Sequence, residues 1–240
     1  SNDTPLQGDL FLLRSIPELE PLRGEHSRVR HVGPCLEPWL KANPEFEAWF
    51  AKPSEKKGLI YVQVGRTFNQ PSFLPALLSA SEKLPFRMVI DLMRSDHCQR
   101  ERPEHVLPCS GISMDSVLPY ASCVITTGHG SAAIASAARG VPALILPCGS
   151  GSEELAWQFT RAGVALSCPN HLVTADKLTE LVSRLHETPE FAGRARGIRA
   201  ATERFQGDSP FARAADALED DSWQNTKGWW RAPQLETSSC

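Results

Sequence analysis

No run in this 240-residue chain approaches the roughly 18 apolar residues that a membrane-crossing helix requires. The opening Ser1-Asn2-Asp3-Thr4 has neither a basic nor an apolar stretch, so no signal peptide is read there. A basic excess is also missing. Lysine and arginine total 25 against 28 aspartates and glutamates, a net charge of −3, which argues against a nucleic-acid surface. C-x-x-C pairs are lacking: the seven cysteines (Cys35, Cys98, Cys109, Cys123, Cys148, Cys168 and Cys240) are scattered and odd in number. That spacing argues against a zinc site or a disulfide framework. It predicts reduced thiols in a cytoplasmic protein.

What remains is an ordinary globular composition, 41% hydrophobic and 22% charged. Three regions differ in character. Residues 1–57 are rich in proline and glutamate and read as a connector arm: one strand, a connector, and a short helix from about Pro44 to Phe50. Residues 58–207 alternate between β-branched runs and helical periodicity. Leu59 to Val64, Phe86 to Leu92, Cys123 to Thr126, Val141 to Leu146 and Val164 to Leu166 read as strands. Ser72 to Leu84, Ser116 to Tyr120, Ser131 to Arg139, Glu153 to Ala162, Ala175 to His186 and Pro189 to Phe205 read as helices, with Gly140 and Gly163 as stops. Strands alternating with helices of this length predict an α/β fold, a parallel sheet covered on both faces. Residues 208–240 read as a tail, and its Trp223, Trp229 and Trp230 point to a surface on which it docks.

Parallel sheets bind ligands at the carboxyl ends of their strands, so the loops there are the candidates. After the first main strand, Gly65 lets a ligand approach the backbone, and Arg66 and Thr67 can donate to phosphate oxygens. The same residues also make an ordinary strand-to-helix turn. Thr126-Thr127-Gly128-His129-Gly130-Ser131 leads into an alanine-rich helix whose free amides and positive dipole end would face an anion. The alternative is a tight turn with Ser131 only a cap. His129 either stabilises charge when protonated or shapes the loop when neutral. In Pro147 to Glu154, the carboxylates of Glu153 and Glu154 can accept from sugar hydroxyls, or simply favour a helix start capped by Ser152. Pro108 to Ser116 can offer main-chain groups to a flat base, with Asp115 as an alternative N-cap.

The order of these loops resembles the carboxyl-terminal domain of GT-B-fold glycosyltransferases, in particular the UDP-glycosyltransferase and macrolide-antibiotic glycosyltransferase group. The likeness runs over about residues 8–205, from Asp9 to Leu19 through Leu118 to Ser131 and Ala137 to Pro147. It implies a Rossmann-like half of a two-domain enzyme, a hexosyltransferase with a nucleoside diphosphate sugar donor of UDP or TDP type and no bound cofactor. By the resemblance Gly65, Arg66, Thr67, Gly128, His129, Gly130 and Ser131 surround the diphosphate, Ile112 lies where main chain reads the base, and Glu153 or Glu154 meets the sugar. The acceptor, a natural-product-like small molecule, and the catalytic base belong to an amino-terminal domain outside this chain. The sequence departs from the family pattern at several positions: Thr126 stands in place of a histidine, the aromatic that often precedes the base-reading loop falls near Gly111, Gly151-Ser152 takes the place of an Asp-Gln pair, and Leu155 that of an asparagine. Two other readings therefore stay open, a non-catalytic partner or regulatory relative and a sugar-nucleotide epimerase of similar architecture.

Overall fold

The computed structural model describes residues 10–22, 29–36, 43–63, 73–92, 102–128, 130–205, 207 and 209–220. The arm holds β1 (Phe11–Leu13), β2 (Val29–His31) and α1 (Pro44–Phe50). Asn43 caps α1, its side chain accepting from the Phe46 amide at 2.8 Å, with Pro44 in the first turn. Then follow β3 (Leu59–Gln63), α2 (Leu74–Lys83), β4 (Arg87–Asp91), β5 (Val106–Cys109) and the single turn α3 (Met114–Val117), extended by a 3₁₀ turn over Leu118–Tyr120. The second half comprises β6 (Ala121–Thr126), α4 (Gly130–Ala138), β7 (Ala143–Ile145), α5 (Ser150–Arg161), β8 (Ala165–Ser167), α6 (Ala175–Glu187) and α7 (Pro189–Glu203). The last described element is α8 (Pro210–Glu219).

The six strands from β3 to β8 form one fully parallel sheet in the order β5-β4-β3-β6-β7-β8. β3 and β4 are buried at every position, as unbroken apolar runs in a doubly covered sheet should be. One face packs Ile60, Val62, Met88, Ile125 and Leu144 against α2 and α6. The other packs Tyr61, Val89, Val124 and Ile145 beneath α4, α5 and α7. Small side chains let α4 sit close to the sheet: Ala132, Ala133, Ala135, Ala137 and Ala138 are all buried. α4 and α5 both end in Schellman closures. The Val141 amide reaches Ser136 O at 2.8 Å after Gly140, and the Val164 amide reaches Phe159 O at 3.1 Å after Gly163. Among the described residues no helix is long and apolar enough to cross a membrane.

Several boundaries differ from the sequence reading. β5 was legible only as loop because Pro108 interrupts it. An edge strand tolerates the missing donor, and β5 is the sheet's edge. The arm carries two strands rather than one, each three residues long and paired in parallel. Nor is it a mere connector, since Ile16, Leu19, Phe46 and Trp49 enter the same core as Tyr61 and Val89. Asp115 is not the cap of α3, which begins after Ser113; it pairs instead with Arg139 at 2.5 Å. α5 starts three residues early, at Ser150, so Gly151 and Ser152 lie in its first turn. The tryptophans at 223, 229 and 230 fall outside the described residues.

A buried cation clamps the arm to the sheet. Arg87, 6% exposed, opens β4 and donates to Phe50 O at 2.7 Å, to Lys52 O at 3.2 Å and to Trp49 O. Its guanidinium lies 3.8 Å from the Trp49 ring centre, and the Trp49 indole donates to Glu104 O at 2.9 Å. The cation thus closes the carbonyl end of α1. Replacing Arg87 by methionine takes the side-chain donor from the Phe50 and Trp49 carbonyls, and among the described residues only Trp49 O keeps a backbone partner, the Lys52 amide at 3.2 Å. The expected loss is about 2–4 kcal/mol, read as a lower urea midpoint at unchanged slope. Next to it, burial and then the charge of Lys56 hold the His105 imidazole below its ordinary pKa. The unfolded chain therefore binds that proton more readily. His105 contributes stability that is complete above about pH 6.5 and is lost as the pH falls below it. A His105→Gln variant is expected to flatten that acid slope in pH-dependent unfolding.

Candidate functional site

The strand order places a topological switch point between β3 and β6: chain progression runs outward through β4 and β5 on one side and through β7 and β8 on the other. β3 is followed by α2 on one face of the sheet and β6 by α4 on the other, so the carboxyl edge between them is the crevice position where such sheets bind ligands. The strand tips bordering it are polar yet buried. Asp91, Gln63 and Thr126 end β4, β3 and β6 as register neighbours, with exposures of 1%, 6% and 1%. Among the described residues Thr126 Oγ1 has no hydrogen-bond partner, and Gln63 reaches the Met114 sulfur at 3.9 Å and the Tyr61 hydroxyl. Buried polar tips at a sheet edge are costly unless something above them is polar. Their signal in sequence is a polar residue closing an otherwise apolar strand.

Above β6 the chain turns at Gly128, whose φ of +84° only glycine adopts without strain. A side chain there would also collide. A Cβ on Gly128 would lie 2.4 Å from the Ser152 Cβ in the first turn of α5. α4 then opens at Gly130, partly exposed, and Ser131, exposed, while Ala132 and Ala133 of the same turn are buried, so the first two residues of the helix reach the surface. Free amides and the dipole end are available there to an anion.

Ser152 rather than Glu153 or Glu154 meets that loop. Its hydroxyl is spent locally, accepting from the Cys148 amide at 2.9 Å and donating to Gly149 O at 2.7 Å. Ser152 is therefore a brace inside the turn, not the helix cap read from sequence. Both glutamates are exposed. Glu154 accepts from Gln158 at 3.2 Å and lines a groove of about 440 Å³ that α5 shares with Glu20 and Pro21 of the arm.

On the other side of the crevice, Ile112 follows Gly111 in the loop after β5. The Ile112 side chain is buried, 5% exposed, and belongs to the core. Among the described residues its main-chain N–H and C=O have no hydrogen-bond partner. Of the residues singled out from sequence, the structure thus gathers Ile112, Gly128, Gly130 and Ser131 at one edge. Gly65, Arg66, Thr67 and His129 lie outside the described residues. Sequence reasoning overlooked Asp91, Gln63 and the bracing role of Ser152.

A larger cavity, about 620 Å³, opens at the opposite, amino edge, lined by Trp49, Lys56, Arg87, Arg102 and His105. Its principal cations already serve the fold. Arg87 closes α1, and the Lys56 ammonium donates to Ser81 O at 2.8 Å, Glu82 O at 3.1 Å and Leu84 O at 2.6 Å at the end of α2. The negative ends of two helices converge there, a poor setting for an anion.

No protein-family model matches the chain, and no curated protein does. Solved structures do. The glycotransferase of kitacinnamycin superposes with a TM-score of 0.75 at 22% identity, over 88% of this chain and 54% of its own. The calicheamicin glycosyltransferase gives 0.71 at 24% identity, over 92% and 55%. The spinosyn forosaminyltransferase gives 0.72 at 20% identity, over 90% and 55%. The chain therefore spans little more than half the length of each. Across that span, it has the fold of one Rossmann-like half of a GT-B glycosyltransferase.

Proposed function

We propose that this chain is the donor-binding half of a glycosyltransferase, which takes a nucleoside diphosphate sugar of UDP or TDP type and passes its hexose or deoxyhexose to a natural-product-like acceptor. One observation carries the reading. At the switch point of the sheet, α4 opens after Gly128 with Gly130 and Ser131 at the surface, where a diphosphate can meet backbone amides at the helix start. As the bond from the sugar to the diphosphate breaks, negative charge grows on the leaving oxygen, and fixed amide donors with a helix dipole stabilise it without reorganising. The donor is a substrate, and no resident cofactor enters the scheme. Ile112, whose main-chain groups have no partner among the described residues, offers one donor and one acceptor to the edge of a base. Reduced thiols on the five described cysteines fit a cytoplasmic setting.

The acceptor pocket and the base belong to the remaining half of the architecture, so the 240-residue chain alone binds donor and transfers no sugar. A second reading has its own support. Gly151 carries no side chain, and Ser152 spends its hydroxyl inside the α5 turn, so neither is left to hold sugar hydroxyls. That pattern suits a partner protein that keeps the fold and has lost the transfer.

Titration calorimetry with UDP, TDP and their sugars decides between them. Saturable one-to-one heats are expected from the purified chain, and their absence for every nucleotide would favour the partner reading. Mass spectrometry of the same mixtures with small aglycones is expected to show no glycoside. Gly128→Ala tests the geometry of the crevice. The added Cβ meets both the strained φ and the contact with Ser152, so about 2–4 kcal/mol of stability is expected to go. Nucleotide affinity should fall with it by roughly tenfold or more. Adding Ser152→Gly relieves the collision but not the φ, and is expected to restore part of the lost stability in urea unfolding.

A further inference from the structure

Asp91 is an unusual residue to find where it is. It ends a fully buried central strand and is 1% exposed, and a carboxylate so placed needs donors. It has them from two sides. The Tyr61 hydroxyl, fully buried on the neighbouring β3, donates to Oδ2 at 3.2 Å. The Gly111 amide, in the loop after β5, donates to Oδ1 at 2.9 Å. Burial, and then the negative charge of Asp91, hold the Tyr61 phenol well above its usual pKa, so that donor keeps its proton. The carboxylate therefore ties the loop to the sheet from below.

The next residue along that loop is Ile112. Its side chain plugs into the core while its N–H and C=O find no partner among the described residues. Main-chain groups of a buried residue are normally paired, and a ligand supplies what the protein does not. Gly111 holds a φ of +71°, with nothing within 4 Å of where a Cβ would sit, so backbone conformation rather than crowding requires glycine there. On the far side, Asp115 is tied to Arg139 just past the end of α4, and the Ser116 hydroxyl donates to Ser113 O at 2.7 Å. The loop is thus anchored on both sides of one unpaired residue.

We infer that Asp91 is a positioning residue for base recognition: by holding the Gly111 amide it sets the Ile112 main chain at the height and angle needed to bind the imide edge of a pyrimidine. Asp91 itself touches no ligand. The inference rests on the donor-binding reading above and names a part of the molecule that selects the base independently of the diphosphate turn.

The test separates base from diphosphate. UDP and inorganic pyrophosphate are titrated into the full 240-residue chain and into Asp91→Leu, Asp91→Asn and Tyr61→Phe variants. Asp91→Leu is expected to weaken UDP by roughly tenfold or more and to leave pyrophosphate within about twofold. Asp91→Asn keeps an acceptor for the Gly111 amide and recovers most of the UDP affinity. Tyr61→Phe leaves that bond in place and stays near the unmodified chain. Asp91→Ser, too short to reach the amide, supplies the same contrast should the leucine variant not fold. Equal UDP affinity in Asp91→Leu and the unmodified chain overturns the inference. So does a parallel fall in UDP and pyrophosphate, which marks a merely structural role. Failure of the unmodified chain to bind either ligand overturns the donor-binding reading first, and this inference with it.

Discussion

A parallel strand cannot turn straight back to its neighbour. A crossover must join each strand to the next, and among the described residues helices α2, α4 and α5 serve as such crossovers, α2 on one face of the sheet and α4 and α5 on the other. That one constraint governs the molecule. It makes β3 and β4 buried throughout and leaves the strand ends as the sheet's main outlet for chemistry. It also creates the switch point between β3 and β6, because a sheet that grows outward in both directions must part its loops somewhere. Gly128 and the exposed start of α4 stand where the topology puts the gap.

The crevice floor follows from the same constraint. Asp91, Gln63 and Thr126 are polar residues on central strands at the last position before the chain leaves the sheet. Deeper in the strand such side chains would sit among Tyr61, Val89 and Val124 with nothing to bond. At the tip they lie one layer beneath the loops. Asp91 uses that position to hold Gly111, and Ser152 plays the corresponding part on the other side by bracing the turn that Gly128 packs against. The loops that meet a ligand are thus fixed by residues that do not.

Much of this arrangement is legible from residue order. Buried parallel strands appear as short β-branched runs, and amphipathic helices between them show their period, so the α/β alternation, the Gly140 and Gly163 stops and the Gly128 turn are all readable. What escapes is whatever depends on distant partners. Pro108 looks like a strand breaker until its strand is seen to lie at the edge. Two three-residue strands are too short for any period to register. Ser152 looks like a cap by type, but its hydroxyl is taken by the Cys148 amide, which folding alone brings within reach. Asp91 is merely a charge after an apolar run until Tyr61 and Gly111 converge on it. The likeness of loop order to GT-B enzymes is visible in sequence and recovered in the superpositions, although identity of 18–24% shows the fold alone.

The early and late segments of the chain are knotted together at one corner. Arg213 of α8 donates to Val32 O at 2.7 Å and to Phe205 O at 2.8 Å, Gly33 presses on the Phe205 ring, and Arg204 pairs with Glu18 at 2.6 Å. The arm is consequently fastened at two joints remote in sequence, one here on α7 and α8 and one through Arg87 on the start of β4, so the loss of either joint still leaves it held by the other.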